Sequence, residues 1–257
     1  MSEPRLLIRQ VRYANKAFWR NPAAAFFTFV FPLMFLVIFT AVIGNGRSRV
    51  GGVTVDEHRY FLVAMMSFAV ITACYTNLAM SVTAQREAGI LKRVRGTPMP
   101  AWLYLAARVL FSTLVALLLV VISSAFGWIV YGTTWPTGDL LVRFALTLVV
   151  GAASFAAIAL ATTAAIPNED AAPAVVNGLI FPLLFLSGIF FPIPDDAPAW
   201  ITTIGRIFPV RHFADAMRAS FFGAPFRFAW SDVVVVAAWG VAALLLAARF
   251  FSWEPRR

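Results

Sequence analysis

The feature that most constrains this chain is a series of apolar runs, each near the roughly 20 residues a helix needs to cross a hydrocarbon layer. Six are read, at about residues 23–44, 60–82, 102–131, 140–166, 171–191 and 230–251. Of 257 residues, 61% are hydrophobic and 13% charged, whereas a soluble domain carries about 25% charged residues. The expected fold class is an all-α polytopic membrane protein with six transmembrane helices. No polar linker divides the chain, so residues 1–257 are expected to form one transmembrane domain. Pro32 and Pro182 fall inside runs, where neighbouring helices can re-satisfy the freed carbonyls. The first run is too long, and lacks the small-residue pattern, for a cleavable signal peptide.

The net charge of +9 sits beside these runs. That placement points to anionic lipid head groups and control of topology rather than to nucleic acid. Arg5, Arg9, Arg12, Lys16 and Arg20 step by three and four along one helical face, with Leu7, Val11, Ala14 and Phe18 opposite. This predicts an in-plane interface helix over 5–20, with Trp19 at the boundary. Thirteen Lys and Arg fall on the N-terminal side of the layer against eight on the other, which predicts cytoplasmic N- and C-termini.

Gln85 to Pro100 is the longest polar interruption between two long runs. Read as a helix over 85–96, it places Ile90, Leu91 and Val94 on one side. Glu87 lies in its first turn and Lys92, Arg93 and Arg95 in its last, complementing the macrodipole. Gly96 is expected to take the left-handed cap and Pro98 to stop the helix. A short amphipathic helix between two spans is suited to push on, or be pushed by, a soluble partner. The turn Pro167-Asn168-Glu169-Asp170 reads equally as a second, smaller docking point or a simple capped turn. Ala153, Ala157, Ala161 and Ala165 repeat every four positions and suggest close internal packing of the fourth run.

Residues 192–229 hold five prolines among aromatic and aliphatic residues, together with Arg206, Arg211, Asp215 and Arg218. That is too much charge for a lipid-exposed span. Two short helices, 198–208 and 210–222, are expected to break at Pro209 and form a hairpin that re-enters the outer leaflet. The alternative is a loop lying flat on the bilayer. Ser187, Gly188 and Pro192 would form the bend that ends the fifth run.

The chain holds no GxxxxGK[ST] phosphate loop, no HExxH and no GxSxG. Its single cysteine, Cys74, excludes an internal disulfide and reads as a packed side chain. His58 and His212 read as isolated. No span midpoint carries an acidic residue, which argues against ion-coupled transport. A partner is therefore expected to supply energy.

The segments REAGILKRVRGTPMP (Arg86–Pro100), FLSGIFFPI (Phe185–Ile193) with Pro198-Ala199-Trp200, and FPVRHFADAMR (Phe208–Arg218) resemble the type-2 membrane permeases of ATP-binding-cassette (ABC) exporters. The resemblance implies six helices, an N-terminal interface helix, a coupling helix between the second and third spans, and re-entrant outer helices. It implies two permease subunits, as a homodimer or with a close paralogue, and two separate ATPase subunits. ATP and Mg would then bind those partners, with no cofactor on this chain, in a bacterial-type plasma membrane. Glu87, Gly89, Leu91, Lys92, Arg93, Arg95, Thr97, Pro98, Glu169 and Asp170 would couple to the ATPase. Ser187, Gly188, Phe191, Pro192 and Pro209 would form an outer gate, and the first, second and fifth spans would face the path. Arg20-Asn21-Pro22 entering the first span is similar to the daunorubicin-type drug-resistance branch. The near alternative is the polysaccharide and teichoic-acid branch. Readings from other classes are a membrane-embedded transferase and an ATP-independent channel or scaffold.

Overall fold

The computed structural model describes residues 3–43, 46–50, 53–97, 99–194, 197–223 and 226–254. α1 (Glu3–Trp19) keeps Arg5, Arg9, Arg12 and Lys16 exposed, buries Ala14 and half-buries Leu7, Val11 and Phe18. Its inner face lies on α6 (Ala101–Tyr131), where the Phe18 and Phe111 rings meet edge to face at 5.8 Å. One helix thus presents a cationic face outward and an apolar face to the bundle, as the residue spacing predicts.

α2 (Pro22–Ile43) runs through Pro32 without interruption. The second apolar run is a continuous rod from Glu57 to Glu87, made of α3 (Glu57–Ile71), a π turn (Thr72–Thr76) and α4 (Asn77–Glu87). α3 is apolar all round and buried from Tyr60 to Ile71, so it forms the axis of the bundle. α2, α6 and α7 (Asp139–Thr163) pack against it, α8 (Ala172–Leu186) meets the α4 part of the rod, and α11 (Trp230–Phe250) lies on α7. Phe39 stacks on Phe61 at 5.2 Å, and Phe68 meets Phe190 at 5.4 Å, which ties α2 and the segment after α8 to the axis.

Among the described residues, five helices are long and apolar enough to cross a membrane: α2, the Glu57–Glu87 rod, α6, α7 and α11. α8 is apolar but shorter, ending at Leu186 rather than near residue 191. The segment after α8 forms α9 (Ala199–Ile207) and α10 (Pro209–Phe222), with Phe208 as the extended residue between them. Pro209 is thus the first residue of α10, where its missing N–H costs nothing, and is not itself the break.

Two expectations change. The helical bundle is joined by a short antiparallel hairpin, β1 (Arg47–Val50) with β2 (Val53–Asp56), whose register pairs Arg47 with Asp56. The alanine stripe is packed only in part: Ala157 is buried and Ala161 half-buried, whereas Ala153 and Ala165 are exposed. Instead, α7 and α11 approach where a Cβ on Gly240 would lie 2.4 Å from Ser154 Oγ, so only glycine admits the contact. Alanine suits lipid as well as protein; the fit of particular small residues selects the face.

Candidate coupling and outer-gate sites

At the end of the bundle that holds α1, the second span does not run on into a helix over 85–96. α4 ends at Glu87, Ala88 and Gly89 turn, and a separate helix, α5, covers Ile90–Arg95. Gly89, at φ 68°, takes the left-handed conformation expected of Gly96, which instead has φ −75°. The Thr97 hydroxyl donates to Val94 O at 2.7 Å and closes α5. Pro98 lies outside the described residues. Leu91 is fully buried and Val94 half-buried, while Lys92, Arg93 and Arg95 are exposed. Ile90 is exposed, so the apolar anchor of α5 is narrower than expected.

Glu87 is not in the first turn of α5. Its carboxylate accepts from Arg86 Nε at 3.0 Å. Arg86 is buried to 1% exposure, an unusual state for arginine. Its Nη1 donates to Thr163 O at 2.9 Å, and its Nη2 to Ile166 O at 2.7 Å and Pro167 O at 3.4 Å. Thr163 O is a terminal carbonyl of α7, at its negative pole, and the other two lie just past its end. These ends of the second and fourth spans are thereby one body, and α5 hangs from it through Gly89. In the turn after α7, Asn168 Oδ1 accepts from Ala171 N–H at 2.9 Å, as a capped turn would, with Glu169 and Asp170 exposed.

At the opposite end, α8 gives way to a bend at Gly188, where φ is 73°. Ser187 is buried and its hydroxyl donates to Leu184 O at 2.8 Å. The Tyr60 hydroxyl donates to Gly188 O. Arg218 of α10, 4% exposed, donates through Nη1 to Tyr60 Oη at 3.1 Å and to Gly188 O at 3.2 Å, and pairs through Nη2 with Asp215. Asp215 also meets Arg211 at 3.8 Å. Pro209 is buried and Pro192 half-buried, while Phe191 is exposed and stacks on Phe185 at 6.2 Å. The structure therefore brings Gly188, Tyr60 and Arg218 together and leaves Phe191 on the surface.

The histidines are not isolated. His212 Nδ1 lies 2.6 Å from Asp232 Oδ1 on α11, with Nε2 2.8 Å from Arg206 O, and His58 stacks on Tyr131 at 5.6 Å. Sequence reasoning missed Arg86 as a structural cation, and Tyr60 altogether. A span-end arginine ordinarily snorkels to water, so nothing local marked Arg86 as buried.

A family model described as ABC-2 type transporter matches residues 6–222. The chain belongs to the ABC-2 type transporter family. The match takes in α1, the Arg86 junction, α5 and the outer helices through Phe222. YvfS of Bacillus subtilis (strain 168), named a transport permease, is 22% identical over 232 residues, 88% of this chain and 89% of that protein. YbhR of Escherichia coli (strain K12), named a multidrug ABC transporter permease, is 25% identical over 161 residues. That alignment spans 62% of this chain and 43% of YbhR. The protein ycf38 of Porphyra purpurea, also named a transport permease, is 22% identical over 230 residues, 86% of this chain and 75% of its own. As an ABC-2 family member with long apolar helices, the chain is a multi-pass membrane transport permease subunit of an ABC system.

Proposed function

We propose that this chain is one half of the membrane path of an exporter driven by separate ATPase subunits, carrying a lipophilic small molecule or lipid-like cargo outward. Two copies, or one copy and a paralogue, enclose the path; ATP and Mg bind the partners. The observation that carries this reading is the α4–α5–α7 junction. A short helix bears three exposed cations, Lys92, Arg93 and Arg95, and is anchored by buried Leu91 beside a buried Arg86 clamp. A push on α5 would reach the second span through buried Leu91 and the Gly89 turn, and the fourth span through the Arg86 hydrogen bonds.

In this reading α1, α5 and the 164–171 turn are cytoplasmic, and Glu169 and Asp170 add a smaller contact. α8 is the fifth of six crossings. Its 15 residues rise about 22 Å, short of a core of about 30 Å, so the Gly188 bend and α9–α10 lie within the outer part of the layer. That depth supports a re-entrant hairpin, and burial of the charged Arg218 against Tyr60 supports a closed outer gate. The second span is buried over its outer half, so only its inner half reaches toward the path. The daunorubicin-type branch is our preferred assignment, on the likeness noted at Arg20-Asn21-Pro22.

The test is isolation of the full chain from its native membrane in a mild detergent, followed by native mass spectrometry. The expected particle holds two permease chains and two ATPase chains. A particle with one permease chain that retains full transport on reconstitution would overturn the paired arrangement.

A further inference from the structure

A cleft of about 670 Å³ opens at the inner end of the bundle, where α1, the second span, α6 and the start of α8 meet. Its volume is that of a site for a drug-sized ligand. Phe18, Phe111, Leu78 and Val115 form apolar walls, and Gln85 and Arg108 project polar groups into it. The π turn in the second span contributes Ala73 to the lining; such turns, with one residue too many for the regular ladder, often mark functional sites.

Arg108 is the unusual member. It is half-buried on α6, about two turns into the helix. Arg86, Arg143 and Arg218 each meet a carboxylate, but Arg108 meets none among the described residues. Its Nε donates to Tyr104 Oη at 3.1 Å and its Nη2 to Gln85 Oε1. The Tyr104 hydroxyl donates to the same Gln85 oxygen at 2.5 Å, and the guanidinium lies 5.2 Å from the Tyr104 ring centre. Neutral partners thus fix the guanidinium in place without neutralising it, and Nη1 makes no bond among the described residues. Glu169 lines the rim of the cleft yet forms no ion pair with Arg108. A held, partly desolvated arginine with a free donor edge favours a phosphate or carboxylate. The apolar walls beside it favour a hydrocarbon body.

We propose that this cleft binds an anionic amphiphile, with the charged head on Arg108 and the apolar part against Phe18 and Phe111. The inference rests on the permease reading only for where such a ligand would travel next; the binding itself requires no ATPase. The exposed basic stripe of α1 (Arg5, Arg9, Arg12, Lys16) stands beside the cleft and raises the local concentration of anions at that surface.

The test uses the full chain in nanodiscs of neutral lipid and a photoactivatable dodecyl phosphate, with crosslinked peptides mapped by mass spectrometry. Labelling should concentrate on the segments that line the cleft. Arg108→Gln should lower it by about tenfold or more, Arg108→Lys should restore a large part, and the corresponding uncharged dodecanol probe should label both proteins alike. Ala84→Phe, which fills the cleft and leaves Arg108 in place, should also abolish labelling. Competition by phosphatidylglycerol would identify the occupant as a leaflet lipid; its absence would identify a free amphiphile. Equal labelling of wild type, Arg108→Gln and Ala84→Phe would overturn the proposal. So would full labelling of Arg108→Gln with loss only in Ala84→Phe, because the charged head would then contribute nothing. A permease that couples normally to its ATPase but fails here would lose this site and keep its assigned role.

Discussion

Arg86 and Arg218 lie at opposite ends of the bundle, both almost fully buried and both donating to backbone carbonyls. Arg86 donates to three carbonyls at and beyond the end of one helix and to the carboxylate of its own neighbour, Glu87. Arg218 reaches a single carbonyl, at a bend, together with a tyrosine hydroxyl and the half-exposed Asp215. The first arrangement fuses two spans; the second rests on a glycine that can turn and a carboxylate that water can reach. On the proposed function, the end that holds α1 transmits displacement and the end at Gly188 yields to it.

The largest expected effect is at Arg86. Arg86→Gln leaves the buried carbonyls of Thr163 and Ile166 unsatisfied, at a cost of roughly 2–4 kcal/mol. Thermal unfolding in a non-ionic detergent should show a clear loss, larger than that of Arg218→Gln. Equal losses at the two positions would erase the distinction between a rigid and a yielding end.

Two of the positive-φ glycines, Gly89 and Gly188, sharpen the same contrast. Gly89 and Gly188 have nearly equal φ values, but a Cβ on Gly89 meets nothing within 4 Å, whereas one on Gly188 lies 3.3 Å from Tyr60 Oη. Gly89→Ala should therefore cost only the backbone term, about 1 kcal/mol. Gly188→Ala adds crowding against the Tyr60 hydroxyl and should cost more, with transport impaired beyond what the lost stability explains. A larger loss of stability at Gly89 would mean that the α4–α5 turn is more tightly enclosed than the bend.

A smaller effect, on reactivity rather than stability, reports where the outer helices sit. In a Cys74→Ala background, a cysteine at Ile207, which is 55% exposed on α9, should react slowly with a membrane-impermeant thiol reagent. A cysteine at exposed Thr137, in the turn before α7, should react quickly. Equal, rapid labelling would place α9–α10 in water and remove the re-entrant gate.

How legible these regions were differs for physical reasons. The spans could be read because hydropathy and length act on each segment separately, and the α1 faces because 3.6-residue spacing is local. The outer charges Arg211, Asp215 and Arg218 could be paired by helical spacing, and they do pair. Nothing in Thr72–Thr76 announces a π turn, since the extra residue is accommodated by neighbours distant in sequence. Gly89 and Gly96 are both able to end a helix, so local composition does not fix where α5 starts. The choice was made by Arg86, whose partners lie 77 to 81 residues away. The β1–β2 hairpin did carry a signal that was passed over: Gly51-Gly52 between Val50 and Val53 is a two-residue hairpin composition.

On the proposed function, α5 receives force from an ATPase partner and the Arg86 junction passes it on. The most direct measurement is cargo-stimulated ATP hydrolysis by the reconstituted complex carrying Arg93→Glu and Arg95→Glu. Both side chains are exposed, and exposed pairs are each worth up to about 1 kcal/mol, so insertion and thermal stability should be unchanged. Stimulated hydrolysis and transport should fall together, and basal hydrolysis by the ATPase should persist. Normal stimulated turnover in this variant would contradict the account.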